Sequence, residues 1–172
     1  MYKVLKKVEL APQIKLFEIN APEVAMKAKP GQFVIIRINE KGERFPLTLA
    51  KWEPKKGTIT LIFLEVGVST MKLGALRSGD EILDVVGPLG NPSHIKHYGS
   101  VAVVCGGVGT AAVYPIAKAL KEVGNRVVSI IGARTEELLI LEDEMRNVSD
   151  EMYISTDDGS KGHKGFVSDV LR

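Results

Sequence analysis

The periodicity of this sequence changes near residue 98, and that change restricts the possible folds more than any single motif does. Before it, short apolar runs alternate with turn signals. Val4 to Leu10, Ile14 to Asn20, Gln32 to Asn39, Thr58 to Leu64 and Asp80 to Val86 are rich in Val, Ile, Leu and Phe. Ala11-Pro12, Lys29-Pro30-Gly31, Glu40-Lys41-Gly42, Lys55-Lys56-Gly57 and Ser78-Gly79-Asp80 separate them. In this half only Val68 to Leu76 has a helical pattern. Many short strands at this spacing predict a small antiparallel β-barrel over residues 1–97.

After the change, strands alternate with helices. Ser100 to Cys105 is a continuous apolar run, as expected of a strand buried on both faces. The turn Gly106-Gly107-Val108-Gly109 follows, then an amphipathic helix over Thr110 to Val123 that Gly124 ends. Arg126 to Ile131 predicts a second buried strand, Glu136 to Arg146 a helix, Met152 to Ser155 a third strand and Phe166 to Leu171 a last helix. This is the alternation of a parallel α/β sheet, here over residues 98–172, with the domain boundary between His94 and Gly99.

Composition excludes several functions. A formal net charge of +2 with scattered lysine pairs and no interleaved aromatics argues against nucleic acid. No run of about 18 apolar residues exists to span a membrane, and Met1 to Leu10 alternates like a strand rather than a signal peptide. The single cysteine, Cys105, permits no internal disulfide and no iron–sulfur cluster held by several cysteines of this chain; it points to a reducing cytoplasm. Cys105 itself reads as a buried, inert thiol. His94, His97 and His163 share no metal-like spacing, so no metal site is expected.

Four segments bear on ligand binding. In Val101 to Thr110, VAVVCGGVGT, a glycine turn leaves a strand and opens a helix, so a pyrophosphate could approach the helix's positive end. It is not G-x-G-x-x-G, and a tight turn needing φ > 0 would also explain it. Arg134, after the second strand, could meet a 2′-phosphate or face water, which leaves NADH and NADPH open. Glu43 to Ala50, ERFPLTLA, lies between two strands and, taken alone, is an edge-strand proline with a surface arginine. Glu65 to Thr70, EVGVST, could be no more than a helix cap, and Gly87 to Pro92, GPLGNP, reads as a loop.

In order, Arg44-Phe45-Pro46-Leu47-Thr48, Val66-Gly67-Val68-Ser69-Thr70, Gly87-Pro88-Leu89-Gly90 and Gly106-Gly107-Val108-Gly109 resemble the ferredoxin–NADP⁺ reductase superfamily. The tail Thr156-Asp157-Asp158-Gly159-Ser160, with Lys164-Gly165-Phe166 and Asp169-Val170-Leu171, is similar to one branch of it. That branch holds the dihydroorotate dehydrogenase electron-transfer subunit and the alpha subunit of NADH-dependent ferredoxin:NADP⁺ oxidoreductase.

The resemblance implies a barrel that binds FAD and an α/β domain that binds NAD(P)H as substrate. Arg44 would pair with the FAD pyrophosphate, Pro46 and Leu47 would pack on the flavin, and Thr48 would place its hydroxyl near the reacting ring. Val66, Gly67, Ser69 and Thr70 would supply donors to the pyrophosphate. Gly106, Gly107, Gly109 and Thr110 would face the nicotinamide dinucleotide, with Arg134, Asp157 and Asp158 beside it. Trp52 is expected to pack in the barrel or beside the adenine.

Electrons would pass to a larger redox subunit, either an iron–sulfur flavoprotein or dihydroorotate dehydrogenase. A stand-alone flavin reductase and a non-catalytic bridging module are the alternatives. Family members normally continue into further strands and a cysteine cluster for a [2Fe–2S] centre. Only three parallel strands can be counted here, so the α/β domain is expected to be incomplete, with an exposed sheet edge prone to self-association.

Overall fold

The computed structural model describes residues 1–171, which form two compact units, Met1–Ser93 and a second beginning at His94. The sequence expectation put the boundary at 97/98. Ser93 stays with the first unit, its amide donating to the Pro30 carbonyl at 2.9 Å.

The first unit contains β1 (Tyr2–Ala11), β2 (Ile14–Asn20), α1 (Pro22–Lys27), β3 (Phe33–Arg37), β4 (Phe45–Glu53), β5 (Thr58–Leu64), α2 (Val68–Ala75), β6 (Glu81–Ile82) and β7 (Asp84–Leu89). The strands pair antiparallel in the order β6-β1-β2-β5-β4-β3-β7. The two end strands, β6 and β7, are separated by Leu83 alone, whose amide donates to the Ile38 carbonyl at 3.1 Å. The sheet therefore returns on itself as a nearly closed barrel, which removes its edges.

Alternation along the strands fills the interior. Phe17 and Ile19 of β2, Ile36 of β3, Leu49 of β4, and Ile59 and Leu61 of β5 are fully buried, joined by Leu73 of α2 and Ile82 of β6. Phe17 and Phe63 meet edge to face at 5.2 Å, a favoured arrangement of the ring quadrupoles.

Three local expectations are corrected in this unit. The segment 45–53 is a strand, not a connector. Pro46 is tolerated because β4 pairs with β5 only from Leu49 onward, so at Pro46 the sole neighbour is Ile35 of β3. The run Asp80 to Val86 breaks at Leu83 and then continues to Leu89, so Gly87-Pro88-Leu89 lies in a strand rather than a loop. A six-residue helix, α1, was not expected. Pro22 opens it, with Glu23 in the first turn, Lys27 in the last, and Val24 and Ala25 buried.

The second unit contains β8 (Ser100–Gly106), α3 (Thr110–Glu122), β9 (Arg126–Ala133), α4 (Glu142–Asn147), β10 (Glu151–Thr156), β11 (His163–Lys164) and α5 (Val167–Leu171), with 3₁₀ turns at 107–109 and 136–138. The sheet is parallel throughout, in the order β11-β10-β9-β8. Val103 and Cys105 of β8, Val127 and Ile131 of β9, Ala117 and Leu120 of α3, and Met145 of α4 form its core.

Here too the structure departs from expectation. There are four described parallel strands rather than three. β8 stands at one end of the sheet and is buried on one face only, since Ser100, Ala102 and Gly106 are exposed. The helix expected over Glu136 to Arg146 is broken into a 3₁₀ turn and α4, with Leu141 between them in the left-handed region at φ 56°. Ile140 and Leu141, at the break, are both buried.

Asn125 fixes where β8 starts. It is 2% exposed; its Oδ1 accepts from the amides of Tyr98 (2.6 Å) and Gly99 (3.1 Å), and its Nδ2 donates to the carbonyls of Lys96 (2.9 Å) and Leu120 (2.8 Å). All four bonding positions of one amide are used to tie the entry of β8 to the end of α3.

Candidate functional site

In the barrel unit, the start of β4 lies beside the start of α2. Along 44–49, Phe45, Leu47 and Leu49 turn toward the core, while Arg44 and Pro46 are exposed and Thr48 is half-buried. Leu47 therefore packs inward, on the face opposite Pro46. Thr48 stands across from Phe33 of β3, and its hydroxyl makes no hydrogen bond among the described residues. The Ser69 hydroxyl of α2 donates to Glu43 Oε2 at 2.6 Å, joining the two segments.

Arg44 is mostly exposed, with Nη2 3.5 Å from Asp84 Oδ2. The same oxygen lies 2.8 Å from Nε of Arg37, which is paired with Asp84 across β3 and β7. One carboxylate thus sits between two guanidiniums. At the helix start, Thr70 Oγ1 accepts from the amides of Val66 (3.2 Å) and Gly67 (3.1 Å). Thr70 thereby serves the helix itself, and no side chain caps the first-turn amides of α2. Glu43 and Asp84 were not singled out in the sequence, where each is one acidic residue among many.

In the α/β unit, register gathers the other candidates. Gly106 pairs with Gly132, and Gly132 with Ser155, so the carboxyl ends of β8, β9 and β10 are level. The Gly107–Gly109 turn, Arg134, and Asp157-Asp158 consequently share one edge of the sheet, where open α/β sheets bind ligands. Arg134 is exposed and makes no ion pair among the described residues. Asp157 is exposed, its amide bonded to the Ala133 carbonyl at 3.1 Å. Asp158 is committed to its own loop. Its Oδ1 accepts from the hydroxyl (2.7 Å) and amide (2.9 Å) of Ser160, which hold its carboxyl below the usual range.

Thr110 is 2% exposed, so it faces the interior. Burial pushes the Cys105 thiol up, the environment of a structural rather than a reactive cysteine. Thr135, beside Arg134, was missed in the sequence. Its Oγ1 is buried without a partner among the described residues. Among those residues no group of three His, Cys, Asp or Glu could hold a metal ion, and no helix is long and apolar enough to cross a membrane.

The glycines test whether the two turns suit a phosphate ligand. Gly107 has φ 52°, so its own backbone calls for glycine. Gly109 does not: its φ of −60° and ψ of −22° suit any residue, and an added Cβ would meet nothing within 4 Å. Gly67, at φ −135° and ψ 168°, is the same, with open space around the Cβ position. Neither conformation nor packing requires glycine at these two helix starts. A ligand approaching the backbone amides would.

No family model matches the chain. It is 51% identical over 169 residues to a Thermotoga maritima protein named as a homologue of the electron-transfer subunit of dihydroorotate dehydrogenase B (NAD⁺), covering 98% of this chain and 60% of that one. It is 33% identical over 175 residues to the dihydroorotate dehydrogenase B (NAD⁺) electron-transfer subunit of Fusobacterium nucleatum, covering 98% of this chain and 67% of the relative. The chain belongs to this family of electron-transfer subunits.

The solved structure of an NADH-dependent reduced ferredoxin-NADP oxidoreductase superposes with a TM-score of 0.94 at 49% identity. That match covers 99% of this chain and 62% of the solved one. The architecture is accordingly ferredoxin-reductase-like, a barrel followed by a parallel sheet. This chain spans about three-fifths of the length of the Thermotoga relative.

Proposed function

We propose that this chain is an electron-transfer flavoprotein subunit that holds FAD on the barrel and NAD(P)H on the α/β unit, and passes electrons to an iron–sulfur partner subunit. The observation that carries this reading is the pair of glycines, Gly67 and Gly109, that the fold itself does not need. Each opens a helix, where uncapped amides and the helix dipole favour an anion. One chain with two such places suits two dinucleotides.

On the barrel, Arg44 supplies a planar guanidinium to the FAD pyrophosphate, with Ser69 and the first-turn amides of α2 opposite it. Pro46 presents a flat apolar surface to the flavin, and Thr48 an unengaged hydroxyl. Leu47 supports the site from inside the core. On the α/β unit, the amides at Gly106, Gly107 and Gly109 receive the second pyrophosphate, and Arg134 and Asp157 are the exposed groups available to the ribose end. FAD, when bound, supplies the two-electron to one-electron conversion, and these residues bind and orient it. Cys105 is the single cysteine of these 172 residues, so they hold no ligand set for an iron–sulfur cluster themselves. Activity in the reducing cytoplasm fits the same single thiol.

The two sequence relatives are named for the electron-transfer subunit of dihydroorotate dehydrogenase B and the solved structure for an NADH-dependent reduced ferredoxin-NADP oxidoreductase, so the partner is either dihydroorotate dehydrogenase or another iron–sulfur flavoprotein subunit. The test is the visible spectrum of the purified protein, followed by release and identification of the cofactor and by titration with NADH and NADPH. A flavin spectrum yielding FAD that either nucleotide bleaches is the expected result. A folded, colourless protein that takes up no added FAD would overturn the proposal.

A further inference from the structure

Both side chains assigned to the FAD pyrophosphate are engaged by carboxylates of this chain. Asp84 lies 3.5 Å from Arg44 and Glu43 takes the Ser69 hydroxyl at 2.6 Å. The two carboxylates differ in how they are held. Asp84 forms an ion pair with Arg37 at 2.8 Å across paired strands, so its charge is compensated. Glu43 is exposed, precedes the start of β4, and has Ser69 as its one side-chain partner among the described residues.

We infer that Glu43 is an internal competitor for the FAD pyrophosphate. Its carboxylate occupies the hydroxyl donor at the start of α2 and sets how tightly the dinucleotide is held. The inference rests on the FAD reading of this site. A hydroxyl has one proton to donate. While Ser69 gives it to Glu43 it cannot give it to a phosphate oxygen, and the carboxylate repels the incoming anion. Binding therefore has to displace Glu43 or proceed against its charge. Asp84 acts in the other sense, steadying Arg44 at the mouth of the site while Arg37 cancels its charge.

The experiment measures FAD and riboflavin affinity by fluorescence titration of the deflavinated full chain. Wild type, Glu43→Gln and Glu43→Ala are compared over a range of potassium chloride. Removing one exposed charge beside a pyrophosphate should tighten FAD roughly three- to tenfold. The gain should shrink as salt rises, and riboflavin, which has the ring but no pyrophosphate, should bind the variants and wild type alike. Unchanged or weaker FAD binding in both variants overturns the inference and leaves the FAD assignment intact. So does a gain shared equally by riboflavin. Folded proteins that take up no FAD overturn both together.

Discussion

Replacing Gly109 by alanine should move stability and ligand affinity in opposite directions. At φ −60° and ψ −22° alanine fits the backbone unstrained, and the new methyl meets nothing within 4 Å. Reduced freedom of the unfolded chain then favours the variant by about 0.4–1 kcal/mol, which raises the melting temperature of a unit of this size by about 2–8 °C. The same methyl stands where a pyrophosphate would approach the amides at the start of α3. Loss of one charge-assisted hydrogen bond costs about 1.5–3 kcal/mol, or roughly a tenfold to hundredfold weaker NADH or NADPH affinity. Thermal unfolding by circular dichroism and calorimetric titration of each nucleotide measure the two quantities. Gly107→Ala is the contrast. Its φ of 52° makes alanine cost about 1–2 kcal/mol of fold stability, so that variant should lose both. A Gly109→Ala protein that melts lower than wild type would mean that the glycine serves the fold. One that binds nucleotide as well as wild type would mean that no phosphate comes near.

Asn125→Ala removes four hydrogen bonds from a 2% exposed amide. With water reaching part of the site, the loss should be about 3 kcal/mol, read as roughly hundredfold faster amide exchange in peptides covering β8 and β9. Leu47→Ala should lower barrel stability by about 1–2 kcal/mol with little change in FAD affinity, because its side chain packs on the core; a large loss of FAD without destabilisation would put Leu47 against the ligand instead. Asp150 is held below the carboxylate range by Lys121 at 2.5 Å and the Val127 amide, and Glu142 by Lys161 and Arg146. Both pKa values are depressed on folding, so their stabilisation is present above the ordinary values of 3.8 and 4.5 and is lost as pH falls through the lowered ones. Urea midpoints measured from about pH 6 to about pH 3 should fall at the acid end, and Lys121→Ala should make that fall shallower.

The change of period near residue 98 was legible because it reports burial geometry directly. Strands that alternate inward and outward around a closed barrel produce one rhythm, and strands covered by helices produce another. The ends of β2 and β5 could be read to the residue for that reason. The elements that escaped are those whose cause is not periodic. β4 was hidden by Pro46, a residue that argues against a strand until it is known that β5 does not reach that far. α1 and β11, of six and two residues, are too short for any period to show. The break before α4 depends on Leu141 adopting φ 56°, which leucine rarely does and no pattern announces.

The candidate site divides along the same line. Arg44, the α2 start and the Gly107–Gly109 turn belong to contiguous stretches whose order carries information, so they could be read from the chain. Glu43 and Asp84 acquire meaning only through partners 26 residues away in one case and 40 to 47 residues away in the other. Nothing local distinguishes Glu43 from Glu40 three residues earlier, in the same Gly-containing turn. What separates them is that the fold delivers Ser69 to one and not to the other. A glycine turn can thus be read from sequence, while the carboxylate that the fold brings beside it cannot.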